Sequence, residues 1–228
     1  MKHANNMAMD KSAPASGLPL HATSKVFLVD DDASVRRALA RLIKSAGHTV
    51  HTFSSAREFL GMKPASQEAG CLVLDVRMPG LTGIDLQREL QTMNCNLPIV
   101  FITGHGDIPM SVNAMKAGAV DFLQKPVKDN DLLKAIEQSL ARAVKDQSER
   151  EEIDQIQERA KSLTPRELEV MALVVTGMLN KQIAFKLGTV EKTIKVHRAR
   201  VMEKMGVGSI AELVRLAEKI NIPPAKNQ

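Results

Sequence analysis

The sequence predicts an α/β domain followed by an all-α domain, and three patterns carry this prediction. Short apolar runs alternate with helical segments through the first part of the chain, which is typical of a parallel sheet buried on both faces. Several of these runs end in polar residues, as strands do where a sheet of this kind lines a ligand site. Near the carboxyl end, the apolar runs give way to short helical patterns separated by glycine.

Five strands and five helices alternate in the α/β part. The strands are expected near 25–30, 48–53, 70–75, 98–103 and 120–123, and the helices near 33–46, 55–61, 84–93, 108–117 and 129–143. Gly47 marks the end of the first helix, and Gly80 and Gly83 favour a tight turn after residue 75. Right-handed crossovers then place helices on both faces of a five-stranded parallel sheet, which is the flavodoxin-like arrangement.

Polar side chains at the ends of four predicted strands should meet at one edge of the sheet. These side chains belong to Asp30, Asp31, Asp75, Thr103 and Lys125. Three neighbouring carboxylates repel one another, and oxygen ligands of this kind suit Mg2+. Beside such an ion, one carboxylate can attack phosphorus while a lysine and a hydroxyl stabilise the transition state. For any single acid, capping of the next helix is an equally good interpretation, and for Asp32 it is the better one.

Composition sets bounds on the class of protein. A chain of 228 residues can hold two ordinary domains, and it has no apolar run long enough to cross a bilayer, so no membrane partner is expected. Residues 1–23 lack the apolar stretch of a signal peptide and predict a flexible extension. The two cysteines, Cys71 and Cys95, form no CxxC pair, which indicates a reduced, cytoplasmic protein without a zinc site.

The basic charge is concentrated at the carboxyl end. Residues 23–143 carry 14 basic and 13 acidic side chains, residues 144–161 carry 4 and 6, and residues 162–228 carry 11 and 6. A basic terminal domain suggests nucleic acid or an anionic surface as its partner. The chain has no Trp or Tyr, and Phe185 is the only Phe after residue 122. Because single-stranded nucleic acids are bound by stacking on aromatic rings, that mode of binding is not expected.

Residues 144–161 are charged, rich in helix-forming residues and free of Gly and Pro, so a helical linker is expected there. A short dimer-forming coil is the alternative, although Ile153 and Ile156 are too few for a sustained heptad seam. Four further helices are predicted over 165–175, 180–187, 191–205 and 209–219. The first of them starts with Thr164, Pro165 and Glu167, the pattern of a capping box.

The second and third of these helices match a helix-turn-helix, in which the later helix enters the major groove of DNA. The third helix has an apolar stripe at helical spacing, made by Ile194, His197, Val201 and Met205. Its basic side chains lie largely on other faces: Lys192, Lys195, Arg198 and Arg200. These basic residues can reach phosphates and base edges, but a solvated basic face is the alternative. His197 is better explained as a core or interface residue than as a residue that contacts DNA bases.

Four segments of the first domain resemble the receiver domain of two-component response regulators, and their sequences are most similar to those of the FixJ-like branch. They are LVDDD at 28–32, LDVRMPGLTGIDL at 74–86, IVFITGHGD at 99–107 and AMKAGAVDFLQKPV at 114–127. The resemblance covers residues 24–143. It implies that Asp75 accepts phosphate from a sensor histidine kinase. It also implies that Mg2+ is held by Asp30, Asp31, Asp75 and the backbone carbonyl of Arg77.

The same resemblance implies how phosphorylation is read out. A cis peptide between Lys125 and Pro126 would aim the lysine at the site. Thr103 would turn toward the phosphoryl group, and Phe122 would fill the space that Thr103 leaves. The face over residues 108–123 would then form a homodimer. Four short apolar or small residues are expected to be available on that face: Met110, Ala114, Ala117 and Ala119.

Residues 162–219 resemble the LuxR/NarL/FixJ-type DNA-binding domain, beginning with LTPRELEV and ending with SIAELVRLA. The resemblance implies that Lys192, Thr193, Lys195 and Val196 lie at the groove. Asn180, Lys181 and Arg200 would lie nearer to phosphates. The chain departs from the family pattern at Val190, where a Ser or Thr usually caps the recognition helix, although Thr189 stands one residue earlier.

These patterns predict a response regulator transcription factor that binds double-stranded promoter DNA as a dimer, with RNA polymerase as a further partner. The expected division is an N-terminal extension (1–23), a receiver (24–143), a helical linker (144–161) and a DNA-binding domain (162–228). Two alternatives belong to other classes: a metal-dependent phosphatase or phosphotransferase, and a DNA-binding protein that works without phosphorylation. The chain has no GxxxxGK[ST] nucleotide loop, which disfavours the first. The complete set of acids, Thr103 and Lys125 disfavours the second.

Overall fold

A computed structural model of the chain describes residues 25–63, 70–104 and 108–222, without the side chain of Ile108. The chain divides into two compact units, one that ends at Val144 and one that begins at Lys145. The expected N-terminal extension (1–23) and residues 105–107 of the TGHGD segment lie outside the described residues. The domain limits drawn from the sequence stay a prediction.

The first unit is built on a five-stranded sheet. Its strands are β1 (Lys25–Val29), β2 (Thr49–Phe53), β3 (Gly70–Asp75), β4 (Ile99–Thr103) and β5 (Asp121–Gln124). All pairings are parallel, in the order β2-β1-β3-β4-β5. Every residue of β3 and β4 is buried, as expected for strands covered on both faces. The flavodoxin-like fold class is therefore confirmed.

Helices cover both faces of this sheet. They are α1 (Ala33–Ser45), α2 (Ala56–Gly61), α3 (Gly83–Thr92), α4 (Ile108–Lys116) and α5 (Asp129–Lys161). On one face, Ile43 of α1 and Ile136 of α5 pack with Val26 and Val73 of the sheet. On the other face, Phe59 of α2, Leu86 and Leu90 of α3 and Ala114 of α4 pack with Phe27, Leu72 and Phe101. Two apolar layers thus hold the strand ends in fixed positions.

Side-chain caps decide where the helices of the first unit begin. Asp32 accepts hydrogen bonds from the backbone N–H groups of Ser34 and Val35, and these bonds lower the pKa of its carboxyl. The helix-start interpretation of Asp32 is therefore confirmed. Thr82 and Asp85 form a capping box at the start of α3, immediately beyond the turn that follows β3. This cap fixes the backbone of the loop that leaves Asp75.

Helix α5 is longer than the helix expected over 129–143. It continues without a break to Lys161, because no Gly or Pro interrupts the segment. Its last turns belong to the second unit, where the Ile156 side chain is 2% exposed and lies in the apolar core. The linker interpretation missed this packing role. Despite its 33 residues, α5 is too polar to cross a membrane, and no other helix in the described part of the chain is long and apolar enough.

The second unit packs four more helices around one core. These are α6 (Pro165–Val174), α7 (Asn180–Lys186), α8 (Glu191–Met205) and α9 (Ile210–Lys219). The core contains Ile156, Val170, Met171, Ile183, Ile194, Val201, Met205 and Leu213. Gly206 ends α8 in the left-handed conformation that glycine adopts without strain. The four helices begin and end within one or two residues of their expected positions.

An ion pair between the buried Glu167 and the half-buried Lys204 joins the start of α6 to the end of α8. The Lys204 Nζ donates to Glu167 Oε2 over 2.6 Å and to the Ser162 carbonyl oxygen over 3.0 Å. The Thr164 backbone N–H donates to the same glutamate, which completes the capping box expected at this helix start. The bond from Lys204 and the bond from Thr164 together lower the pKa of Glu167 to about 2.

Candidate functional site

Three carboxylates converge where β1 and β3 end. Asp30 follows β1 directly and Asp75 closes β3, and the parallel register pairs Val29 with Leu74 immediately before them. One oxygen from each of Asp30, Asp31 and Asp75 lies within 4.8 Å of the other two. Asp30 and Asp75 are buried, whereas Asp31 is exposed. The topology of the sheet thus produces a partly open acidic site.

Lys125, which follows β5, places an ammonium inside this acidic site. Its Nζ donates to Asp75 Oδ2 over 2.6 Å and to Asp30 Oδ2 over 2.8 Å. Burial raises the pKa of Asp30 in spite of this cation. Burial also opposes the charged form of Lys125, but its bonds to the two carboxylates outweigh burial and raise its pKa. One ammonium therefore bridges the two buried acids of the site.

Backbone groups orient the two buried acids. The Asp32 N–H donates to Asp30 Oδ1 over 2.9 Å, and the Arg77 N–H donates to Asp75 Oδ1 over 3.2 Å. Each buried carboxylate thus uses one oxygen for a backbone donor and the other for Lys125. Arg77 stands two residues after Asp75, in the loop that follows β3. Its backbone carbonyl, the predicted metal ligand, belongs to the same loop.

A further cation, which the sequence patterns did not single out, contacts the same site. Arg36 lies on α1, and its Nη1 donates to the carbonyl oxygens of Asp30 over 2.6 Å and Asp31 over 3.3 Å. Its place one helical turn after Asp32 is a local signal, because side chains four residues apart share a helix face. That spacing alone does not say that the guanidinium points at the loop carbonyls.

Thr103 and Phe122 lie on the neighbouring strands β4 and β5. Thr103 is fully buried at the end of β4, and its carbonyl oxygen accepts from the Lys125 N–H over 2.7 Å. Phe122 is half-buried, and its ring centroid lies 6.1 Å from that of Phe101. The Lys125–Pro126 peptide bond is cis, as the resemblance implies. The switch roles of Thr103 and Phe122 stay predictions.

The donor set of this site fits Mg2+. Carboxylate oxygens are its preferred protein ligands, and opposite ligands of an octahedral ion stand about 4.2 Å apart, given metal–oxygen distances of about 2.1 Å. One oxygen of each acid lies within 4.8 Å of the other two, so small side-chain movements bring the three oxygens within the span of such an ion. One exposed acid, Asp31, leaves a side open to solvent and to a phosphate-bearing partner. The site therefore has the charge, the ligand type and the access that a magnesium ion requires.

One surface expected from the sequence is wrong in detail. Ala114 and Ala119 are buried in the core of the first unit, so they are not available on the proposed dimer face. The large apolar side chains that α4 exposes are those of Val112 and Met115. The spacing of small residues in the sequence therefore did not predict correctly which side of α4 faces the sheet.

Helix α8 separates a buried stripe from a basic surface. Ile194, Val201 and Met205 are buried, and His197 is half-buried on the same stripe, in keeping with the core or interface position predicted for it. Among the residues predicted to face DNA, Lys192, Lys195, Val196 and Arg200 are exposed and Thr193 is half-buried. The Lys195 ammonium stands 3.3 Å from Glu191 Oε1, an exposed pair that a nucleic acid can displace.

Helix α7 presents the other predicted contacts. Lys181 is exposed, and Asn180 is half-buried at the first position of the helix. Asn180 Oδ1 accepts a 2.8 Å hydrogen bond from the Arg198 guanidinium of α8. This bond between the two helices was not foreseen, and it leaves the amide N–H groups of Asn180 for another acceptor. Val190 begins α8 without a side-chain cap, as its side chain predicts.

Comparison with known proteins places both units in families. Residues 26–137 match the family described as response regulator receiver domain, and residues 161–217 match bacterial regulatory proteins of the luxR family. The chain is 48% identical over 197 residues to nodulation protein W of Bradyrhizobium diazoefficiens, which covers 86% of each chain. It is 42% identical over 192 residues to the transcriptional regulatory protein FixJ of Rhizobium meliloti, which covers 84% of this chain and 94% of that one.

Solved structures agree with these families. The response regulator StyR is 51% identical, and the match covers 87% of this chain and all of StyR with a TM-score of 0.76. Full-length FixJ from B. japonicum is 42% identical, and the match covers 89% of this chain and 98% of that one with a TM-score of 0.54. The chain therefore belongs to the response regulators that join a receiver domain to a LuxR-type DNA-binding domain, a family of transcription regulators rather than classical enzymes.

Proposed function

We propose that Asp75 is the phosphoacceptor of this response regulator and that its phosphorylation by a sensor histidine kinase controls binding to promoter DNA. The observation that carries this proposal is the environment of Asp75. Its carboxylate is buried, oriented by the Arg77 N–H and 2.6 Å from the Lys125 ammonium, with two further acids beside it. Asp30 has neighbours of the same kind, but its side chain is fully buried, whereas the Asp75 side chain keeps 7% of its surface exposed to an incoming phosphodonor.

The protein contributes to this reaction mainly by positioning the reacting groups and by neutralising negative charge. An oxygen of Asp75 attacks phosphorus and forms an O–P bond, while the bond between phosphorus and the donor's imidazole nitrogen breaks. Asp31, Asp75 and the carbonyl of Arg77 would hold Mg2+, together with Asp30 behind them. When bound, the ion neutralises charge on the phosphoryl oxygens. Lys125 and Thr103 supply an ammonium and a hydroxyl to the same oxygens. Water later attacks phosphorus, the O–P bond to Asp75 breaks, inorganic phosphate leaves and the carboxylate is restored.

The new negative charge then changes one surface of the first unit. We propose that Thr103 follows the phosphoryl group and that Phe122 moves into the space next to β4. Phe122 is only half-buried, which leaves it room to move. A two-state change of this kind would favour a homodimer through α4 and β5, where Val112 and Met115 are exposed.

The second unit supports recognition of double-stranded DNA. Lys192, Thr193, Lys195 and Val196 would meet the major groove, and Asn180, Lys181 and Arg200 would meet phosphates. The buried stripe of α8 supports this division, since it leaves the basic side chains on the outer surface. A dimer would address two half-sites about one helical turn apart, or about 34 Å.

RNA polymerase and a cytoplasmic location complete the proposal. Helix α7 exposes a large aromatic side chain, Phe185, which is 91% exposed, and Leu179 beside the helix start is 67% exposed. Exposed apolar side chains of this size are typical of surfaces that contact other proteins. A regulator that binds promoter DNA and RNA polymerase works in the compartment that contains both.

One experiment tests the phosphoacceptor directly. The full chain is incubated with Mg2+ and a small acyl phosphate, and both its mass and its binding to promoter DNA are measured. We expect one added phosphoryl group and tighter DNA binding, and neither should occur in Asp75→Asn. Asp121→Asn is the control, because Asp121 stands at the amino end of β5, whereas Asp75 stands at the carboxyl end of β3, two strands away. Peptide mapping that located the phosphate on another residue would overturn the assignment.

A further inference from the structure

Arg36 holds the piece of backbone that carries the proposed metal ligand Asp31. Its Nη1 lies 2.6 Å from the Asp30 carbonyl oxygen and 3.3 Å from the Asp31 carbonyl oxygen. Hydrogen bonds from a guanidinium are charge-assisted and stronger than those between neutral groups. One side chain of α1 therefore fixes two successive carbonyl groups in the loop that follows β1.

The same loop is tied at its other polar atoms. The Asp30 N–H donates to the Phe53 carbonyl oxygen over 3.2 Å, and the Asp32 N–H donates to Asp30 Oδ1 over 2.9 Å. The Arg36 N–H in turn donates to the Asp32 carbonyl oxygen over 2.9 Å. Other hydrogen bonds already hold the two ends of this loop. Arg36 adds two more in the middle, to the carbonyls of residues 30 and 31.

Asp31 depends on this backbone more than its neighbours do. Asp30 and Asp75 are buried, and Lys125 together with a backbone N–H holds each of their carboxylates. Asp31 is exposed, so solvent surrounds its side chain and packing does not restrain it. The direction of its carboxylate therefore follows from the conformation of the loop, which Arg36 helps to set.

We propose that Arg36 is a positioning residue of the magnesium site, which acts by fixing the backbone of Asp30 and Asp31 and so the direction of the Asp31 carboxylate. This inference rests on the proposed function, in which Asp31 binds the ion directly. Groups that orient metal ligands without touching the metal change metal affinity about 10–100-fold when they are removed. Arg36 is such a group, because it binds the backbone that carries the proposed metal ligand Asp31.

A simple charge effect predicts the opposite result. A guanidinium near a cation site repels the incoming Mg2+, so its removal would tighten binding if charge were its whole contribution. Removal of a positioning residue weakens binding, because the freed loop must be ordered again when the ion binds. Arg37 is the matched control, since it is the next residue of α1, carries the same charge and is exposed.

Calorimetric titration of the full chain with Mg2+ separates these roles, and it suits a chain without Trp or Tyr as a fluorescent reporter. We expect Arg36→Ala to bind about 10-fold more weakly than the parent, in line with the loss of a group that orients a metal ligand. Arg36→Lys keeps the charge but not the forked donor, and should fall between them. Arg37→Ala should bind like the parent or slightly more tightly.

Hydrogen exchange of the metal-free chain gives a second readout. Arg36→Ala should speed exchange of the backbone amides at residues 30–32, whereas Arg37→Ala should not. Thermal unfolding without Mg2+ checks that the variants fold. If Arg36→Ala does not fold, Arg36→Lys replaces it in the same measurements. Parent-like or tighter Mg2+ binding by Arg36→Ala overturns the positioning role alone. A parent chain that fails to bind Mg2+ overturns the proposed metal site, and this inference with it.

Discussion

Gly83 lets the backbone pass close to Asp75, the proposed phosphoacceptor. It is buried at the start of α3, its N–H donates to the Val76 carbonyl oxygen over 3.0 Å, and a Cβ at this position would overlap the carbonyl oxygen of Asp75. Only glycine fits such an approach without movement of the backbone. The position of Asp75 therefore depends on a residue that has no side chain.

Substitution of this glycine should damage the fold and the site together. We expect Gly83→Ala to lower the free energy of unfolding by about 1–3 kcal/mol, as overpacking of a buried position does. It should also slow phosphoryl uptake from a small donor. Gly61→Ala is the control, because a Cβ there meets no atom within 4 Å. Urea unfolding measures both variants, and equal stability of the two would contradict the proposed overlap.

Glu167 should make the stability of the chain depend on pH in acid. Its pKa is about 2 in the folded chain, below its ordinary value of 4.5, mainly because Lys204 donates to it. Its contribution is therefore complete above about pH 4.5 and is lost as the pH falls toward 2. Glu167→Gln keeps an acceptor for Thr164 but not the charge. The stability difference between parent and variant should shrink from pH 5 to pH 3. A constant difference in urea unfolding would count against this pair.

At the scale of the element, α5 is part of the core of the second unit. Ile156 is 2% exposed there, whereas Ile153, one turn earlier, is half-buried and lies outside the core cluster. The C-terminal turns of α5 therefore do more than connect two domains.

The two isoleucines of α5 should respond differently to truncation. Ile156→Ala should destabilise the second unit by about 2–5 kcal/mol, the usual cost of a buried cavity. Ile153→Ala should cost less than about 1 kcal/mol, because much of its side chain already meets water. Thermal unfolding followed by circular dichroism compares them. If both variants unfold alike, the packing of Ile156 contributes little.

Helix α8 should divide its contacts between bases and phosphates. Lys195 is exposed in the middle of the helix beside Val196, and Arg200 is exposed more than one turn later. Loss of a base contact costs about 1–3 kcal/mol at one sequence position, whereas loss of a phosphate contact weakens all sequences and lowers the salt slope by about 1. Lys195→Ala should therefore change selectivity, and Arg200→Ala should change affinity.

Binding isotherms on specific and scrambled duplexes at several salt concentrations distinguish the two variants. An Arg200→Ala variant that lost selectivity, or a Lys195→Ala variant that weakened both duplexes equally, would mean that α8 is rotated about its axis relative to this proposal.

At the scale of the whole molecule, the basic excess is local. Both units are nearly balanced, with +2 for residues 1–144 and +3 for residues 145–228, but residues 162–228 carry 11 basic and only 6 acidic side chains. Each unit has its own apolar core, so each is expected to fold by itself.

If the receiver restrains the DNA-binding unit, the fragment from Lys145 to Gln228 should bind promoter DNA without a phosphodonor. This fragment retains Ile156 and the complete core of the second unit. Gel shifts with the fragment and with unphosphorylated full chain measure the difference. A fragment that folds by circular dichroism yet binds no better than the full chain would leave dimerisation as the basis of activation.

Local sequence patterns predicted the elements and the acidic site because both follow from short-range rules. Buried apolar runs define β3 and β4, and the parallel topology brings the ends of strands together, so Asp30 and Asp75 had to meet. Contacts between distant side chains were missed. The bonds from Arg198 to Asn180 and from Lys204 to Glu167 depend on helix packing and rotamers, which no local pattern encodes. The helical character of residues 144–161 was expected, but the burial of Ile156 was missed, because it depends on packing against helices that are distant in the sequence.

In the proposed function, the ammonium of Lys125 is the counter-ion of the resting chain and of the phosphorylated chain alike. It contacts an oxygen of Asp75 in the structure. Once that carboxylate is joined to phosphorus, the negative charge lies further out, on the phosphoryl oxygens, and is larger by up to about one unit. The same lysine can follow by rotation of its side chain, so no new cation has to be brought to the site. Hydrolysis restores the carboxylate, and the signal ends in the ionic arrangement from which it began.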